Sequence, residues 1–319
     1  MVGASSGSWA VDHAYQITAS IGLVTFALTK KKLTPAGVVS AILVAFVHML
    51  DPYPVFFWLL VPFFLLGVLV TKIGHKAKAH LTKSSTGSTG GEGTRGAMQV
   101  FANSGFAAIM IALHTYQYHQ ARSQPQTLAG AVESATGLLT QRESALQSVL
   151  PIGIMAHYAA VAADTFGSEL GILAKTEPFL ITAPWKRVPR GTNGGVTIDG
   201  LVYGLLASCL MTAIAAAGLA NAAPHHRLSA AEILLVIVMG VFGSIVDSYL
   251  GATVQATVTE KESGKVVEGP GGQRVKVMPG GSRAMSGRDL LTNNGVNMAM
   301  AVIASVSAMG VAYAAGLNI

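Results

Sequence analysis

The sequence has little charge and almost no cysteine. Charged residues make up 11% of the 319 positions, against about 25% in a typical soluble domain. The single cysteine, Cys209, excludes a disulfide framework within the chain and a CxxC metal site. A Walker A lysine motif is also absent, so a nucleotide site in this chain would not be a P-loop. These shortages exclude an ordinary soluble domain and a disulfide-rich scaffold.

Long apolar runs occupy most of the chain instead. Hydrophobic residues account for 51% of the sequence, and the mean hydropathy is +0.51. A transmembrane helix needs roughly 20 mostly apolar residues. Eight stretches have this character: 10–29, 33–50, 53–71, 97–117, 149–173, 194–217, 229–256 and 293–316. We therefore predict an all-α fold, a polytopic membrane bundle of about eight transmembrane helices that forms a single domain over residues 1–319.

Basic residues are concentrated on one side of this predicted bundle. With eight spans, the connections 30–32, 72–96, 174–193 and 257–292 share a side, and they hold all but three of the 21 lysines and arginines. The positive-inside rule makes this side cytoplasmic, with both termini outside. Loop charge also accounts for the net charge of +6, so we expect no nucleic-acid partner. Because no plastid transit peptide is evident, we expect the endoplasmic reticulum, with a prokaryotic plasma membrane as the alternative.

Three segments fall outside the pattern of apolar spans. Residues 84–94 are rich in serine, threonine and glycine, which predicts a flexible cytoplasmic linker. Residues 118–148 are polar with scattered apolar positions, which predicts a surface helix on the outer side. Residues 257–288 are basic and rich in glycine, which predicts a cytoplasmic insert with a small β-hairpin.

The second half of the chain contains an internal repeat. The run 164–167 near the end of the fifth span resembles the run 247–250 near the end of the seventh, and each begins with aspartate. The similar runs 192–196 and 292–296 open the sixth and eighth spans. Both hairpins enter from the outside first, so the repeat is parallel. It predicts that the two aspartates and the asparagines of the returning runs converge on one layer near the cytoplasmic surface.

Acidic residues inside a membrane are costly and usually functional. Asp164 and Asp247 suit Mg²⁺, which binds carboxylate oxygens together with substrate phosphates. The predicted helix starts at Asn193 and Asn293 would offer backbone N–H groups to phosphate oxygens. Glu169 is a weaker metal candidate, because a regular helix turns it about 140° away from Asp164. The alternative interpretation is that the two aspartates are buried hydrogen-bonding groups and that the basic residues only anchor the topology.

Four of these runs together resemble the phytyl-phosphate kinase family, also called the transmembrane protein 19 family. They cover residues 162–171, 188–196, 243–255 and 289–297, and residues 95–105 match the Gln-Val-x-x-Asn stretch of that family. The resemblance implies transfer of a phosphoryl group from a nucleoside triphosphate, CTP or ATP, to a prenyl monophosphate. Phytyl, farnesyl and geranylgeranyl phosphates are the candidate acceptors, and the product is the prenyl diphosphate.

Under this hypothesis Asp164 and Asp247 bind Mg²⁺, while Arg190, with Lys186 and Arg187, holds the nucleotide phosphates. The phosphates or the metal shell would also contact the asparagine side chains of Asn103, Asn193, Asn293, Asn294 and Asn297. The prenyl tail would lie between helices, in contact with membrane lipid, and a homodimer is compatible with the sequence.

The alternative function is a lipid or small-molecule transporter or flippase, where parallel repeats and intramembrane acids also occur. A transporter would hold its acids near the middle of the membrane. Their predicted position near the cytoplasmic side therefore favours the enzyme.

Overall fold

The computed structural model describes residues 9–85, 94–123, 129–222, 227–317 and 319, with the backbone alone at 122, 129–144 and 222. Within these ranges the chain forms ten α-helices: α1 (Trp9–Asp12), α2 (Ala14–Thr29), α3 (Pro35–Met49), α4 (Val55–Lys72), α5 (His75–Leu81), α6 (Ala97–Ser123), α7 (Ala129–Gly171), α8 (Ile198–Ala222), α9 (Ala230–Val254) and α10 (Asn293–Ala315).

Every predicted span contains one of these helices. Among the described residues, six helices are long and apolar enough to cross a membrane, namely α4, α6, α7, α8, α9 and α10. Helices α2 and α3 are apolar but have only 16 and 15 residues. At 1.5 Å per residue they measure about 24 and 22 Å, less than the ~30 Å hydrocarbon core of a bilayer. The predicted polytopic helical bundle is confirmed, with two of its spans shorter than the rest.

Helix α7 lies at the centre of the bundle. In the most apolar 18-residue stretch of Ala145–Gly171, 78% of the residues are buried, whereas the share is between 22% and 39% in the corresponding stretches of the other five long helices. It packs against α4, α6, α8, α9 and α10. Its fully buried side chains include Ile152, Ile154 and Tyr158. The core of the protein is therefore α7 with other helices arranged around it.

Small residues let α7 and α8 approach each other closely. A Cβ atom added at Gly200 would lie 2.9 Å from the carbonyl oxygen of Gly167, and one at Gly204 would lie 3.1 Å from that of Ala163. Positions four residues apart lie on one face of a helix, and small residues at that spacing allow membrane helices to pack backbone to backbone. Gly200 contacts Gly167 and Gly204 contacts Ala163, so residue numbers increase along α8 as they decrease along α7. The two helices are therefore antiparallel.

Helix α9 runs parallel to α7. Gly240 faces Ala159, since a Cβ atom there would lie 2.9 Å from the Cβ of Ala159. Further along both helices, Asp247 faces Asp164. The hairpins α7–α8 and α9–α10 therefore start in the same direction, as the internal repeat predicts.

Short strands gather at the end of the bundle where α7 and α9 finish. The strands are β1 (Lys83–Ser84), β2 (Phe179–Leu180), β3 (Ala183–Arg187), β4 (Gly195–Val196), β5 (Thr257–Glu260), β6 (Val267–Glu268) and β7 (Arg283–Ser286). Three strands form an antiparallel sheet in the order β3-β2-β4. Strands β5 and β7 pair antiparallel, and β1 and β6 pair parallel. We call this the polar end of the bundle.

The structure describes the three segments outside the apolar spans to different extents. In the insert 257–288, β5 bridges to Val266 as in a hairpin, yet its main partner is the more distant β7. The segment 118–148 is helical where it is described, because α6 continues to Ser123 and α7 already begins at Ala129. Most of the predicted linker, residues 86–93, lies outside the described residues.

Candidate functional site

A polar cavity of about 550 Å³ opens at the polar end of the bundle. This volume lies within the ~300–1,000 Å³ typical of ligand sites. Helix ends and the short strands line it together, including the last turns of α7 and α9 and the first turn of α10. The cavity is therefore enclosed by both halves of the repeat.

Asp164 and Asp247 both line this cavity and face each other on its wall. Asp164 precedes Gly171, the last residue of α7, by seven residues, and Asp247 precedes Val254, the last of α9, by the same number. Each aspartate is thus roughly 10 Å from the end of its helix. The two carboxyl groups lie within hydrogen-bonding reach of each other. The predicted convergence of the aspartates is present in the structure.

Asn297 adds an amide to the aspartate pair. With its nitrogen oriented as donor, the amide lies 2.9 Å from the carbonyl oxygen of Asn293 and 3.3 Å from Oδ1 of Asp247. Asn293 is the first residue of α10, where Thr292 caps the helix by accepting a hydrogen bond from a backbone N–H. The first turn of α10 therefore points towards the acidic pair, as expected for Asn293 and Asn297.

Asn294 binds the insert and does not line the cavity. Its Nδ2 donates to the carbonyl oxygen of Gly271 at 3.0 Å, and the residue is 8% exposed. Asn294 therefore holds the insert against α10, and its contact with phosphate stays a prediction that this position does not favour.

Asn193 lines the cavity but does not open a helix. Helix α8 begins only at Ile198 and is capped by Thr197, whose Oγ1 accepts the N–H of Gly200 at 3.0 Å. Asn193 stands in the turn before β4, where its Nδ2 donates to the carbonyl oxygen of Ala256 at 2.8 Å. This corrects the expected helix start, because threonine provides the cap four residues later. The turn packs on the last turns of α9, since a Cβ atom at Gly194 would lie 2.4 Å from that of Ala252 and 2.7 Å from the carbonyl oxygen of Ser248.

Glu169 is not part of the aspartate pair. Helix α7 continues without a break to Gly171, so Glu169 is rotated away from Asp164. It forms an ion pair with Lys78 of α5 at 2.5 Å, and Lys78 also donates to the carbonyl oxygen of Val70 at 3.2 Å. Its charge is already matched by a buried cation, so its role as a metal ligand stays a prediction that this arrangement does not favour.

The cations predicted to hold nucleotide phosphates do not line the cavity. Arg190 donates from Nη1 to the carbonyl oxygen of Ile172 at 2.9 Å and from Nη2 to Thr176 at 3.2 Å, so it fastens the loop after α7. Arg187 donates to the carbonyl oxygen of Glu177 at 3.1 Å. Lys186 is an exposed residue of β3. The phosphate-binding role of these three residues stays a prediction that their positions do not favour.

Other cations do line the cavity, among them Lys78, Arg95 and Arg274. Arg95 lies just before α6, and its Nη2 is 3.4 Å from Oγ1 of Thr71. Arg274 belongs to the insert and pairs with Asp289 at 2.8 Å. The sequence offered a signal for Arg95, which opens the stretch resembling the family. It offered none for Lys78, whose partner is 91 positions away.

Asn103 lies on the cavity wall, as its place in the sequence predicts. Its Nδ2 donates to the carbonyl oxygen of Gln99 at 2.9 Å, one turn earlier in α6. Its own carbonyl oxygen is 2.8 Å from Nε2 of the buried His157. Asn103 thus connects α6 with the central helix at His157.

The two carboxyl groups, with the amide of Asn297, could hold a divalent cation. In the described part of the chain, no lysine or arginine bonds to either carboxyl group, and two like charges this close need a shared proton or a cation. No group of three or more histidine, cysteine, aspartate or glutamate side chains gathers there in the described residues. Two carboxylates with one amide and room for phosphate oxygens match Mg²⁺, which takes few protein ligands and keeps water.

Together these features define a polytopic membrane protein whose duplicated hairpins enclose a polar cavity with an acidic pair on its wall. The profile of the family described as integral membrane protein DUF92 matches residues 18–305. The chain is 32% identical to "Protein PGR" of Arabidopsis thaliana over 288 residues, which cover 89% of this chain and 90% of that protein.

Two shorter matches agree with this result. One is the "Uncharacterized membrane protein MJ0933" of Methanocaldococcus jannaschii, 29% identical over 48% of this chain and 49% of that protein. The other is "Protein VTE6, chloroplastic" of Arabidopsis thaliana, 29% identical over 27% of this chain and 26% of that protein. No solved structure matches significantly. The chain belongs to the DUF92 family of integral membrane proteins, and the family resemblance carried by its motifs is confirmed.

Proposed function

We propose that this protein is a membrane-embedded kinase that transfers a phosphoryl group from a nucleoside triphosphate, CTP or ATP, to a prenyl monophosphate. The observation that carries the proposal is the facing pair Asp164 and Asp247 on the wall of a polar cavity that is open at one end of a membrane bundle. Membership of the DUF92 family and the match to VTE6 support it.

The acceptor needs little help from a general base. The second pKa of a phosphate monoester is roughly 6, so the acceptor is mostly dianionic at neutral pH. One of its oxygens forms a bond to the terminal phosphorus of the donor, and the bond from that phosphorus to the bridging oxygen breaks. The products are a prenyl diphosphate and a nucleoside diphosphate. Catalysis then depends on positioning and on neutralisation of negative charge.

The residues of the cavity divide these tasks. Asp164 and Asp247, with the amide of Asn297, would hold a magnesium ion, which supplies positive charge beside the phosphates when bound. Helix α10 begins at the cavity-lining residue Asn293, and the first backbone N–H groups of a helix suit phosphate oxygens. Arg95 and Arg274 provide guanidinium groups at the cavity wall. This set replaces Lys186, Arg187 and Arg190 as the proposed phosphate contacts.

The position of the acids favours an enzyme over a transporter. Both aspartates lie about 10 Å from the helix ends, whereas secondary transporters hold their sites near the middle of the membrane. The strands and basic loops at the polar end lie directly above them. A water-soluble nucleotide can reach this position from one side, while the prenyl phosphate arrives from the lipid. By the positive-inside rule we place this side in the cytoplasm.

The test is phosphoryl transfer by the purified protein in lipid vesicles. We expect Mg²⁺-dependent formation of labelled prenyl diphosphate from a prenyl monophosphate and terminally labelled CTP or ATP. Asp164→Asn should lower the rate by at least about a hundredfold, the size of effect seen when one charge-stabilising group is removed from an active site. Asp199→Asn is the matched control, because Asp199 is an exposed residue in the first turn of α8 and does not line the cavity.

Two results would contradict the proposal. One is equal activity of the wild type and the Asp164→Asn variant. The other is uptake of prenyl phosphate into vesicles without any transfer of label, which would make the protein a transporter.

A further inference from the structure

A second, apolar cavity lies beside the polar one. Its volume is about 200 Å³, and residues of α2, α3, α4 and α6 line it. Aliphatic and aromatic side chains form nearly the whole wall, including Leu23, Phe57 and Leu60. Phe46 of α3 is 47% exposed at its edge, so this cavity reaches the lipid-facing surface of the bundle.

The two cavities share a wall. Phe63, Arg95, Gln99 and Asn103 line both of them. The shared wall combines aromatic Phe63 of α4 with Arg95, just before α6, and the amides Gln99 and Asn103 in its first turns. A molecule lying across this junction would have its apolar part among α2, α3 and α4 and its anionic part beside Arg95.

We propose that the apolar cavity binds the prenyl tail of the acceptor and that α3 measures the length of that tail. The inference rests on the proposed function, and it adds the place and direction of the tail. The N–H of Thr34, just before α3, donates to the carbonyl oxygen of Arg95 at 3.0 Å, which ties the start of α3 to the junction. From there α3 runs along the cavity, with Ala41, Ala45 and Met49 on its wall.

Distance along α3 gives the order in which a tail meets these residues. At 1.5 Å per residue, Ala41 lies about 10 Å beyond Thr34 and Ala45 about 16 Å. A larger side chain at Ala41 would block the cavity near the phosphate, and the same side chain at Ala45 would block only its deeper part. The structure thus predicts two different length limits from one substitution at two positions.

Selectivity between tails of different length comes from whether the tail fits the shape of the cavity, and not from transfer of the tail out of water. The tail leaves lipid to enter the cavity, and lipid is as apolar as the leucine side chains that replace it. Discrimination therefore comes from whether the tail fits with the phosphate held at the junction. A misfit of one or two carbons in such a pocket changes kcat/KM by about 10–200-fold.

The experiment compares geranyl, farnesyl and geranylgeranyl phosphates as acceptors for the wild type, Ala41→Phe and Ala45→Phe. We expect Ala45→Phe to lower kcat/KM for geranylgeranyl phosphate at least about tenfold more than for geranyl phosphate. Ala41→Phe should extend the loss to farnesyl phosphate. Leu43→Phe is the control, because Leu43 is 55% exposed at nearly the same depth and does not line the cavity.

A binding measurement separates failure of this inference from failure of the proposed kinase. Geranylgeranyl phosphate with a photoreactive group at the end of its tail should label α3 or α4 in the wild type, and Ala45→Phe should abolish the labelling. If the wild type transfers no phosphoryl group but this labelling occurs, the kinase proposal fails and the tail site stands. Equal losses for all three acceptors, unchanged selectivity, or labelling confined to α8 and α9 would overturn the tail site, and a structural lipid would then be its occupant.

Discussion

Removing one charge from the acidic pair should stabilise the metal-free protein while abolishing its activity. Asp247→Asn replaces one of two facing carboxyl groups, and the amide oxygen can still accept a hydrogen bond from Asn297. Two unit charges about 4 Å apart in a medium of effective dielectric constant about 20 repel by about 4 kcal/mol. A shared proton relieves part of this repulsion, so we expect the free energy of unfolding to rise by about 1 kcal/mol or more, and Tm by about 2–4 °C.

Magnesium should stabilise the wild type and leave the Asp247→Asn variant almost unchanged. At a hundredfold excess over Kd, a ligand that binds only the folded state adds about 2.7 kcal/mol of stability. The wild type should therefore gain several degrees in Tm when Mg²⁺ replaces a chelator, and Asp247→Asn should gain little. Thermal unfolding followed by tryptophan fluorescence in detergent, with and without Mg²⁺, measures both effects.

Glu169→Gln is the matched control, because it removes the same charge from the same cavity. It leaves the ammonium group of Lys78, whose side chain is 9% exposed, without its partner. Breaking a buried pair in this way typically costs about 3–5 kcal/mol, so Tm should fall in the absence of metal. If Asp247→Asn also lowers Tm in chelator, or if Mg²⁺ stabilises it as much as the wild type, the acidic pair is not a metal site.

Two further predictions concern the turn and the insert at the polar end. Gly194→Ala should lower the free energy of unfolding by roughly 1–3 kcal/mol and lower activity. The reason is that φ is +76° at this position and the new Cβ would lie 2.4 Å from that of Ala252. Gly310→Ala, in open space on α10, should instead be neutral or raise the free energy of unfolding by about 0.5–1 kcal/mol, as measured by thermal unfolding. The hydrogen bond from Lys83 lowers the pKa of Glu260 below the ordinary 4.5. Above pH 4.5 this contact therefore stabilises β1 against the insert, and the stabilisation is lost as the pH falls through the lowered pKa. The protection factors of the amides in residues 83–85, which compare their exchange with the intrinsic rate at the same pH, should therefore fall in acid. Glu260→Gln should show the lower protection already at neutral pH.

Much of the fold follows from the sequence because membrane helices carry strong local signals. Each apolar run of sufficient length contains a helix, since a chain in lipid must satisfy its backbone groups within the segment. The parallel repeat places Asp164 and Asp247 at equivalent depths, which explains why two residues 83 positions apart meet in the cavity. The regular helical rotation between Asp164 and Glu169 also explains why Glu169 points elsewhere.

The remaining parts of the site depend on contacts that leave no local pattern. Lys78 lies among several lysines that look alike in the sequence, and only its burial against Glu169 distinguishes it. The parallel pairing of β1 with β6 joins segments separated by four of the long helices. Arg190 resembles a phosphate ligand in its motif, yet the carbonyl groups at the end of α7 take up its guanidinium hydrogen bonds.

The central position of α7 has a consequence for the assembly of the protein in its membrane. Its apolar window has a hydropathy of 1.4, below the 1.8–2.2 of α4, α8, α9 and α10. A helix that touches so little lipid in the finished bundle is not required to be strongly lipid-soluble, and it can carry polar groups such as His157. Such a segment gains less from lipid by itself than α4 or α9 does. Its packing against α8 and α9, which follow it in translation, therefore contributes more to its stability in the membrane.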